Sequence, residues 1–323
     1  MDALSDALQA IELSGVIFLR GEFGGQYGVS MPPPTLSHPI VQPKSGDHRL
    51  VMFHIVQEGT GYVEVDGFEA QRLSEGDLII VFDDLYHSLV DAPGRPTVPG
   101  ANLAVEQSAV AVPLSVRLGD DEPDIRIVCG MLQFVAGNFN PVFDALPPYL
   151  HLAKDAGPSS SWLQQNLSHI VQEAECGRPG AGALLGRLTE LLFVETLRCY
   201  LEGLPDSESG WLAGLNDPVV GAALQSIHAA PSRDWTVADL AKQAGASRSS
   251  FSARFSGLLG IAPLAYVTRW RIRLATNLLG NPALSLADIA GQVGYESESA
   301  FSRAFKREVG TPPAAWRNRA TVA

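Results

Sequence analysis

Thr236-Val-Ala-Asp-Leu-Ala-Lys-Gln-Ala-Gly245 returns 49 residues later as Ser285-Leu-Ala-Asp-Ile-Ala-Gly-Gln-Val-Gly294. The adjoining stretch repeats as well: Ser247-Arg-Ser-Ser-Phe-Ser-Ala-Arg-Phe255 and Ser297-Glu-Ser-Ala-Phe-Ser-Arg-Ala-Phe305, with Phe251 and Phe301 now 50 apart. Gly260 and Pro263 close the first copy, and Gly310 and Pro313 close the second. One residue has been added in the second turn. Similarity at a fixed period fixes the architecture of this end of the chain before any single helix is considered.

Each copy has the parts of a helix-turn-helix. Thr236 and Ser285 are good N-caps, and the aspartate three residues on completes a variant of the capping box. Leu240, Ala241 and Ala244 form an apolar stripe, copied by Ile289, Ala290 and Val293. Gly245 and Gly294 stand where the first helix must end, because glycine tolerates the left-handed conformation there. Ser247 and Ser297 cap a second helix, anchored by Phe251 with Phe255 and by Phe301 with Phe305, four apart on one face. The other face carries Arg248, Ser249, Ser252 and Arg254 in the first copy. In the second it carries Glu298, Ser299, Ser302, Arg303, Lys306 and Arg307. Such helices can present hydrogen-bonding side chains to base edges in the major groove. The competing reading is a helical bundle whose serines and arginines are merely solvated, and two copies in register weigh against it.

Between the copies, the stretch from Pro263 to Leu279 is predicted to be a helix with Tyr266, Trp270, Leu274 and Leu278 on one side, stopped by Gly280-Asn-Pro282. At 1.5 Å per residue it would be roughly 25 Å long. It can hold two recognition helices about one DNA turn, roughly 34 Å, apart. These units, the connector Tyr266-Val-Thr-Arg-Trp-Arg271-Ile-Arg-Leu-Ala275-Thr-Asn-Leu-Leu279, and Gly294-Tyr-Glu-Ser-Glu-Ser-Ala-Phe-Ser-Arg-Ala-Phe-Lys306 resemble the AraC/XylS family of bacterial transcription regulators. The resemblance covers about the last third of the chain. It implies sequence-specific binding of promoter or operator DNA by a cytoplasmic homodimer.

The chain has 323 residues, enough for two or three domains, and its net charge of −12 by itself argues against nucleic acid. The distribution reverses that inference. From Asp217 onward 12 Lys and Arg face 7 Asp and Glu, a net of +5, whereas the preceding residues carry 11 against 28, a net of −17. A basic end on an acidic body fits a DNA-binding domain attached to a body that avoids phosphate. Asp2 and Asp6 stand where a signal peptide would carry lysine, and no apolar run is long enough to span a bilayer. Cys129, Cys176 and Cys199 lack zinc-site spacing, and their odd number argues against a disulfide framework. Together these imply a cytoplasmic protein with reduced thiols and no membrane partner.

Residues 2–13 suggest a short amphipathic helix. Strand patterns then dominate: Val16 to Leu19, Leu50 to Gln57, Gly61 to Gly67 ending in an Asp-Gly turn, Gly76 to Phe82, and Ile125 to Val135. Short strands with Gly/Asp turns point to a sandwich or barrel. The order Gln57-Glu-Gly59, Val63-Glu-Val-Asp-Gly67, Leu73-Ser-Glu-Gly-Asp77 and then His87 is similar to a cupin barrel, the sensor domain of one AraC-like subfamily. The stretch from Pro93 to Pro123 looks like an insertion or long loop, with a strand somewhere within Asn102 to Leu118.

Many cupins bind a metal, but the ligand set here is incomplete. Met52 stands where the motif's glutamate belongs, and Asp47 and His48 miss the histidine spacing. His87 does match the second motif. His54, in mid-strand, is a candidate to face inward with His87. Two readings stay open: a pair of hydrogen-bonded core histidines, or a metal or anionic ligand held between His54 and His87. Imidazoles suit Zn, Cu, Ni or Fe without choosing among them. Cys129, in Val-Cys-Gly of the last long strand, is either a small buried apolar residue or a third wall of the same pocket. In the latter case a neighbouring imidazolium would lower the thiol pKa.

After Asn138 the chain leaves the barrel and a helical section follows: Ser160 to Glu175, a break at Gly177-Arg-Pro-Gly, then Gly182 to Leu201. The stripe Leu184, Leu185, Leu188, Leu191, Leu192 and Leu197 is too wide for a lone surface helix. It is covered either by the barrel or by a second copy, with Leu188 and Leu192 as the positions to test. Glu202 to Asp217 suggests a linker, although Trp211 and Leu212 imply that it docks.

The expected fold is therefore α+β: a cupin-like sensor domain (1–137), a helical dimerisation section with linker (138–216) and an all-α tandem helix-turn-helix domain (217–319). The expected function is a DNA-binding transcription regulator, not an enzyme, controlled by a small-molecule, metal or redox signal in the barrel. It would work with RNA polymerase if it activates. A metal-dependent cupin enzyme fused to a DNA-binding module, or a regulator needing no ligand, are the alternatives.

Overall fold

The computed structural model describes residues 2–11, 13–31, 48–82, 85–100, 114–119, 122–135, 139–155, 160–176, 178–205 and 208–322. The architecture is α+β. Helix α1 (Ala3–Gln9), capped by Asp2, leads into a curled sheet of β1 (Leu13–Phe23), β2 (Gly28–Met31), β3 (His48–Val65), β4 (Gln71–Ser74), β5 (Leu78–Val81), β6 (His87–Val90), β7 (Val98–Pro99), β8 (Leu114–Leu118), β9 (Ile125–Val135) and β10 (Tyr149–Leu152). The main path of neighbours is β7-β2-β6-β3-β9-β1-β8, with β4 and β5 also on β3 and β10 on β5. The parts of the expected insertion at 101–113, and Asp47, Asn138 and Gly177, lie outside the described residues.

Two expected strands are one. β3 runs unbroken through 18 residues, from His48 to Val65. Its register against β9 shifts between Val56 and Glu58. Gly59 then takes φ +84°, where an added Cβ would lie 1.9 Å from the Asp124 carbonyl oxygen. The kink lets the first half pair with β5 and β9 and the second half with β4 and β6, so one strand carries the sheet around its curl. Inside the curl lies an apolar core that includes Val29, Val63, Leu73, Ile79 and Ile127.

The stretch after residue 138 is not purely helical. A 3-10 turn at Phe143–Ala145 precedes β10, four residues that extend the sheet at β5. Helices α2 (Ser160–Cys176) and α3 (Ala181–Glu202) then cover the outer face. α3 sits close on β1 because Gly15 has no side chain: a Cβ there would meet Thr189 at 2.6 Å. Leu185, Leu192, Phe193 and Leu197 are buried in this contact. Leu192, a position expected to face a second copy, is covered by its own sheet. Leu184 and Leu191 remain outside, 47% and 38% exposed.

The expected linker contains α4 (Trp211–Asn216), and a further helix, α5 (Pro218–Ala229), opens the basic end. Trp211 docks by donating its indole N–H to the Tyr266 hydroxyl at 2.7 Å. The repeats form α6 (Val237–Gln243) and α7 (Arg248–Leu259), the connector α8 (Pro263–Leu279), then α9 (Leu286–Gln292) and α10 (Glu298–Val309), with α11 (Pro313–Val322) last. The first unit's core, with Phe251, Phe255, Tyr266 and Trp270, is continuous through Trp211, Val220 and Ile227 with the outer core of the sheet. The second unit's core, built on Ile289, Val293, Phe301 and Phe305, stands apart and shares α8 through Ile272, Ala275 and Leu279. α1 joins the two halves: Ala3, Ala7 and Ala10 are buried, and the Ala10 carbonyl accepts from Arg273 at 2.6 Å and from Asn277 at 2.8 Å.

Candidate nucleic-acid interface and the barrel interior

Both units begin with a closed capping box. The Thr236 hydroxyl accepts from the Asp239 N–H while the Asp239 carboxylate accepts from the Thr236 N–H, and Ser285 with Asp288 repeats the arrangement. Gly245 and Gly294, at φ +64° and +85°, turn the chain into the next helix. Ser247 and Ser297 cap α7 and α10 by accepting from Ser250 N–H and Ala300 N–H. Phe251, Phe255, Phe301 and Phe305 are fully buried, which fixes how each of these helices is rotated. The faces left outward carry Arg248, Ser249 and Arg254 on α7, and Glu298, Ser299, Arg303, Lys306 and Arg307 on α10, all exposed. Ser252 and Ser302 sit half-buried at the edges of those faces.

The two faces differ in how their cations are held. Arg254 is tied to Asp217, with Nε 2.7 Å from the carboxylate, and the same carboxylate caps α5 by accepting from Val219 and Val220 N–H. On α10, Arg307 lies 3.1 Å from the neighbouring Glu308, which also pairs with Arg269. Asp217 is a contributor that sequence reasoning missed. An Asp-Pro step is an N-cap followed by proline at the first helical position, so the start of α5 was readable. The pairing with Arg254, 37 residues away, was not.

Inside the curl, three of the singled-out side chains meet. His54 and Cys129 are cross-strand partners on β3 and β9. Cys129 Sγ lies 2.9 Å from His54 Nδ1, and His54 Nε2 lies 2.8 Å from His87 Nε2. His87 Nδ1 is 3.3 Å from the Leu85 carbonyl oxygen. That carbonyl can only accept, so the protons are ordered along the chain. His87 Nδ1–H donates to Leu85, His54 Nε2–H donates to His87, and the Cys129 S–H donates to His54 Nδ1. All three side chains are at most 1% exposed. Met31, Met52 and Met131 share this interior: Met31 is the cross-strand partner of His87, and Met52 that of Met131. The methionines were legible by parity, two residues from His54 and from Cys129, but were not singled out.

The electrostatics differ from expectation. Burial, then the neighbouring His87, holds the His54 imidazole well below its usual range. Burial brings His87 down to about 4 and pushes the Cys129 thiol up. No imidazolium stands beside the thiol, so the expected lowering of its pKa is overturned: a dry, low-dielectric interior disfavours every charged form.

A metal does not fit this arrangement. His54 uses one ring nitrogen for the thiol and the other for His87, so the donors form a line rather than converging. Two imidazole nitrogens on one tetrahedral ion, at bonds of about 2.0 Å, stand roughly 3.3 Å apart, wider than the contact here. Among the described residues no three His, Cys, Asp or Glu side chains gather to hold an ion.

Comparison with known proteins accords with both halves. Residues 2–202 match a cupin family profile and residues 240–319 a helix-turn-helix domain profile. A Streptomyces lividans protein named as an AraC-like transcription regulator is 37% identical over 100% of both chains. The HTH-type transcriptional regulator AlkR of Acinetobacter baylyi is 28% identical over 99% of this chain and 100% of its own. Among solved structures, the DNA-binding domain of the global transcriptional factor AdpA, in complex with a target DNA, is 31% identical over 33% of this chain and 95% of its own, with a TM-score of 0.31. The chain belongs to the AraC-like DNA-binding transcription regulators with a cupin-type N-terminal domain. Its relatives are transcription regulators, and among the described residues no helix is long and apolar enough to cross a membrane.

Proposed function

We propose that this regulator reads promoter or operator DNA with α7 and α10, and that a signal received in the curled sheet around His54, His87 and Cys129 sets how strongly it does so. The observation that carries the reading is the pair of capped, phenylalanine-anchored helices with polar outward faces, joined by one 17-residue helix. Arg248, Ser249, Ser252 and Arg254 serve the first half-site. Glu298, Ser299, Ser302, Arg303, Lys306 and Arg307 serve the second. Lysines and arginines on phosphates set the register, while side chains at base edges supply the sequence preference. Because Arg303 has Ala253 as its counterpart, the half-sites differ in sequence. The protein acts in the cytoplasm as a homodimer and performs no chemistry on DNA. RNA polymerase is a partner where it activates.

Control by a signal requires that the signal bind two arrangements of the protein with different affinity. The N-terminal domain spans 1–137, the helical section and linker 138–216, and the DNA-binding domain 217–319. Leu184 and Leu191 of α3, large apolar side chains on the exposed face of that helix, form the contact between copies. The test is selection of a binding site from random DNA, followed by binding of Arg303→Ala and of Leu184→Glu/Leu191→Glu to it. The reading expects sequence-selective binding by the parent, weakened and less selective binding by the first variant, and a monomeric mass for the second. Binding without sequence preference by the parent would end it.

A further inference from the structure

We propose that Arg271 is a positioning residue for DNA reading: it ties the loop ahead of the first helix-turn-helix unit to the turn of the second, and so fixes the spacing of the two DNA segments that the protein accepts. The inference rests on the reading that α7 and α10 each meet one segment, and it names the residue that holds them in register.

α8 alone does not determine how the units stand to one another. Its first half is packed into the first unit through Tyr266, Val267 and Trp270, and its second half into the second unit through Ile272, Ala275 and Leu279. A single helix between two cores can curve, and α7 and α10 would shift with it. A second contact, away from the helix axis, removes that freedom. Residues 230–235, between the end of α5 and the Thr236 cap of α6, supply it. This loop is closed on itself: Trp235 donates its indole N–H to the Ala230 carbonyl at 2.9 Å, and the Arg233 N–H meets the same oxygen at 3.2 Å. The Arg233 guanidinium lies over the Trp235 ring, 4.2 Å from its centre.

Arg271 fastens α8 to this loop. Its Nε donates to the Pro231 carbonyl at 2.7 Å and its Nη2 to the Arg233 carbonyl at 2.9 Å. A planar guanidinium presents both donors at fixed angles, which a lysine cannot do. The same group lies over the Tyr295 ring, 5.7 Å from its centre. Tyr295 follows the turn glycine of the second unit and packs on Phe301, the anchor of α10, with ring centres 5.8 Å apart. Loop and turn also touch directly: a Cβ added at Gly294 would meet the Ser232 backbone at 2.7 Å, whereas one added at Gly245, its counterpart, would meet nothing within 4 Å. The close approach therefore belongs to the second unit's turn and joins it to the first unit's entry. Arg269 and Arg273, four apart and on one face of α8, meet Phe139 and the Ala10 carbonyl instead. The tie between the units is thus separate from the grip of the body. One inserted base pair moves the second segment by roughly 3.4 Å and turns it by about 34°. Two helices held in register lose one set of contacts on such a site. A loosely joined pair follows it, at the cost of ordering the joint on binding.

The experiment measures binding of the full chain to the selected site and to versions with one base pair inserted or removed between the two segments. The parent prefers the selected spacing on the order of 100-fold, the scale of a few mismatched contacts. In Arg271→Ala that preference falls to ~10-fold or less, because binding to the selected site weakens while binding to the shifted sites holds. Arg271→Lys, which keeps the charge and loses the fork on two carbonyls, falls between them and covers the case in which Arg271→Ala does not fold. In the free protein, spin labels on Ala253→Cys of α7 and Lys306→Cys of α10, in a Cys176→Ser background, give a narrow distance distribution that Arg271→Ala broadens. A selective parent whose two variants stay equally selective, with the distribution unchanged, overturns this inference and leaves the reading of two segments standing. Equal weakening on every spacing also overturns it, since it assigns Arg271 to stability or to a phosphate. A parent indifferent to spacing overturns the reading of two segments, and the role of Arg271 with it.

Discussion

The two helix-turn-helix units share a blueprint and differ in attachment. Capping boxes, turn glycines and paired phenylalanines recur from one to the other. The first unit is fused through Trp211, Val220 and Ile227 to the outer core of the sheet, whereas the second has a core of its own. The first recognition helix has an arginine held by Asp217, the cap of α5, and among the described residues the second has no such tie at Arg303. Repeated sequence sets the local fold of each unit. The surroundings of each unit decide its stability and how free its cations are to meet DNA.

The largest expected effect tests the fused core. Phe305→Ala opens a cavity worth ~3–5 kcal/mol. Hydrogen exchange should show that cost confined to residues 286–309. Phe251→Ala opens a similar cavity, but its loss of protection should spread to 211–229 and the sheet. Matching, local patterns in both variants would break the distinction.

Acid separates the units next. His228, on α5 and packed into the core of the first unit, accepts from the Tyr266 hydroxyl at 2.7 Å and stacks on Trp270 at 3.9 Å, and burial lowers its pKa to about 3. The second unit contains no histidine. A histidine whose folded pKa is depressed keeps its full stability contribution above the unfolded value of about 6.5 and loses it as pH falls toward the folded value. Between pH 6.5 and 4 this costs the first unit ~3 kcal/mol, at about 1.4 kcal/mol per pH unit. His54 and His87 impose the same direction on the sheet. Exchange or thermal melts along a pH series should show the second unit outlasting the first. The reverse order would contradict the assignment.

DNA affinity should divide the units as well. Arg303→Ala should cost ~1–3 kcal/mol on the selected site if it reads guanine. Arg254→Ala should cost less, because Arg254 must leave Asp217 before it meets a phosphate. Titration of both variants at two salt concentrations checks the ranking. The smallest effect is a symmetry: Thr236→Ala and Ser285→Ala each remove a capping box and should cost ~1 kcal/mol, alike in both units.

Much of this was legible in residues. The helix-turn-helix elements and β9 lie where periodicity and caps place them, because their signals are local. The meeting of His54, His87 and Cys129 was legible from inward positions on adjacent strands. β10 was missed because four residues behind Pro147-Pro148 carry too little pattern to stand out. β3 was split around Gly59, since a glycine that reads as the end of a strand here permits a kink within one. The cover of Leu192 was left open between the barrel and a second copy because a leucine stripe does not say which partner covers it. The neutrality of the histidine pair follows from burial, which no local pattern reports.

The central claim is that two unequal units of one chain read two adjacent major-groove segments. Hydroxyl-radical footprinting of the selected site, with parent and Arg303→Ala side by side, tests it most directly. The account predicts two protected segments about one helical turn, roughly 34 Å, apart, with the variant losing protection at one of them and keeping the other. A single protected segment, or equal weakening of both by Arg303→Ala, would contradict it.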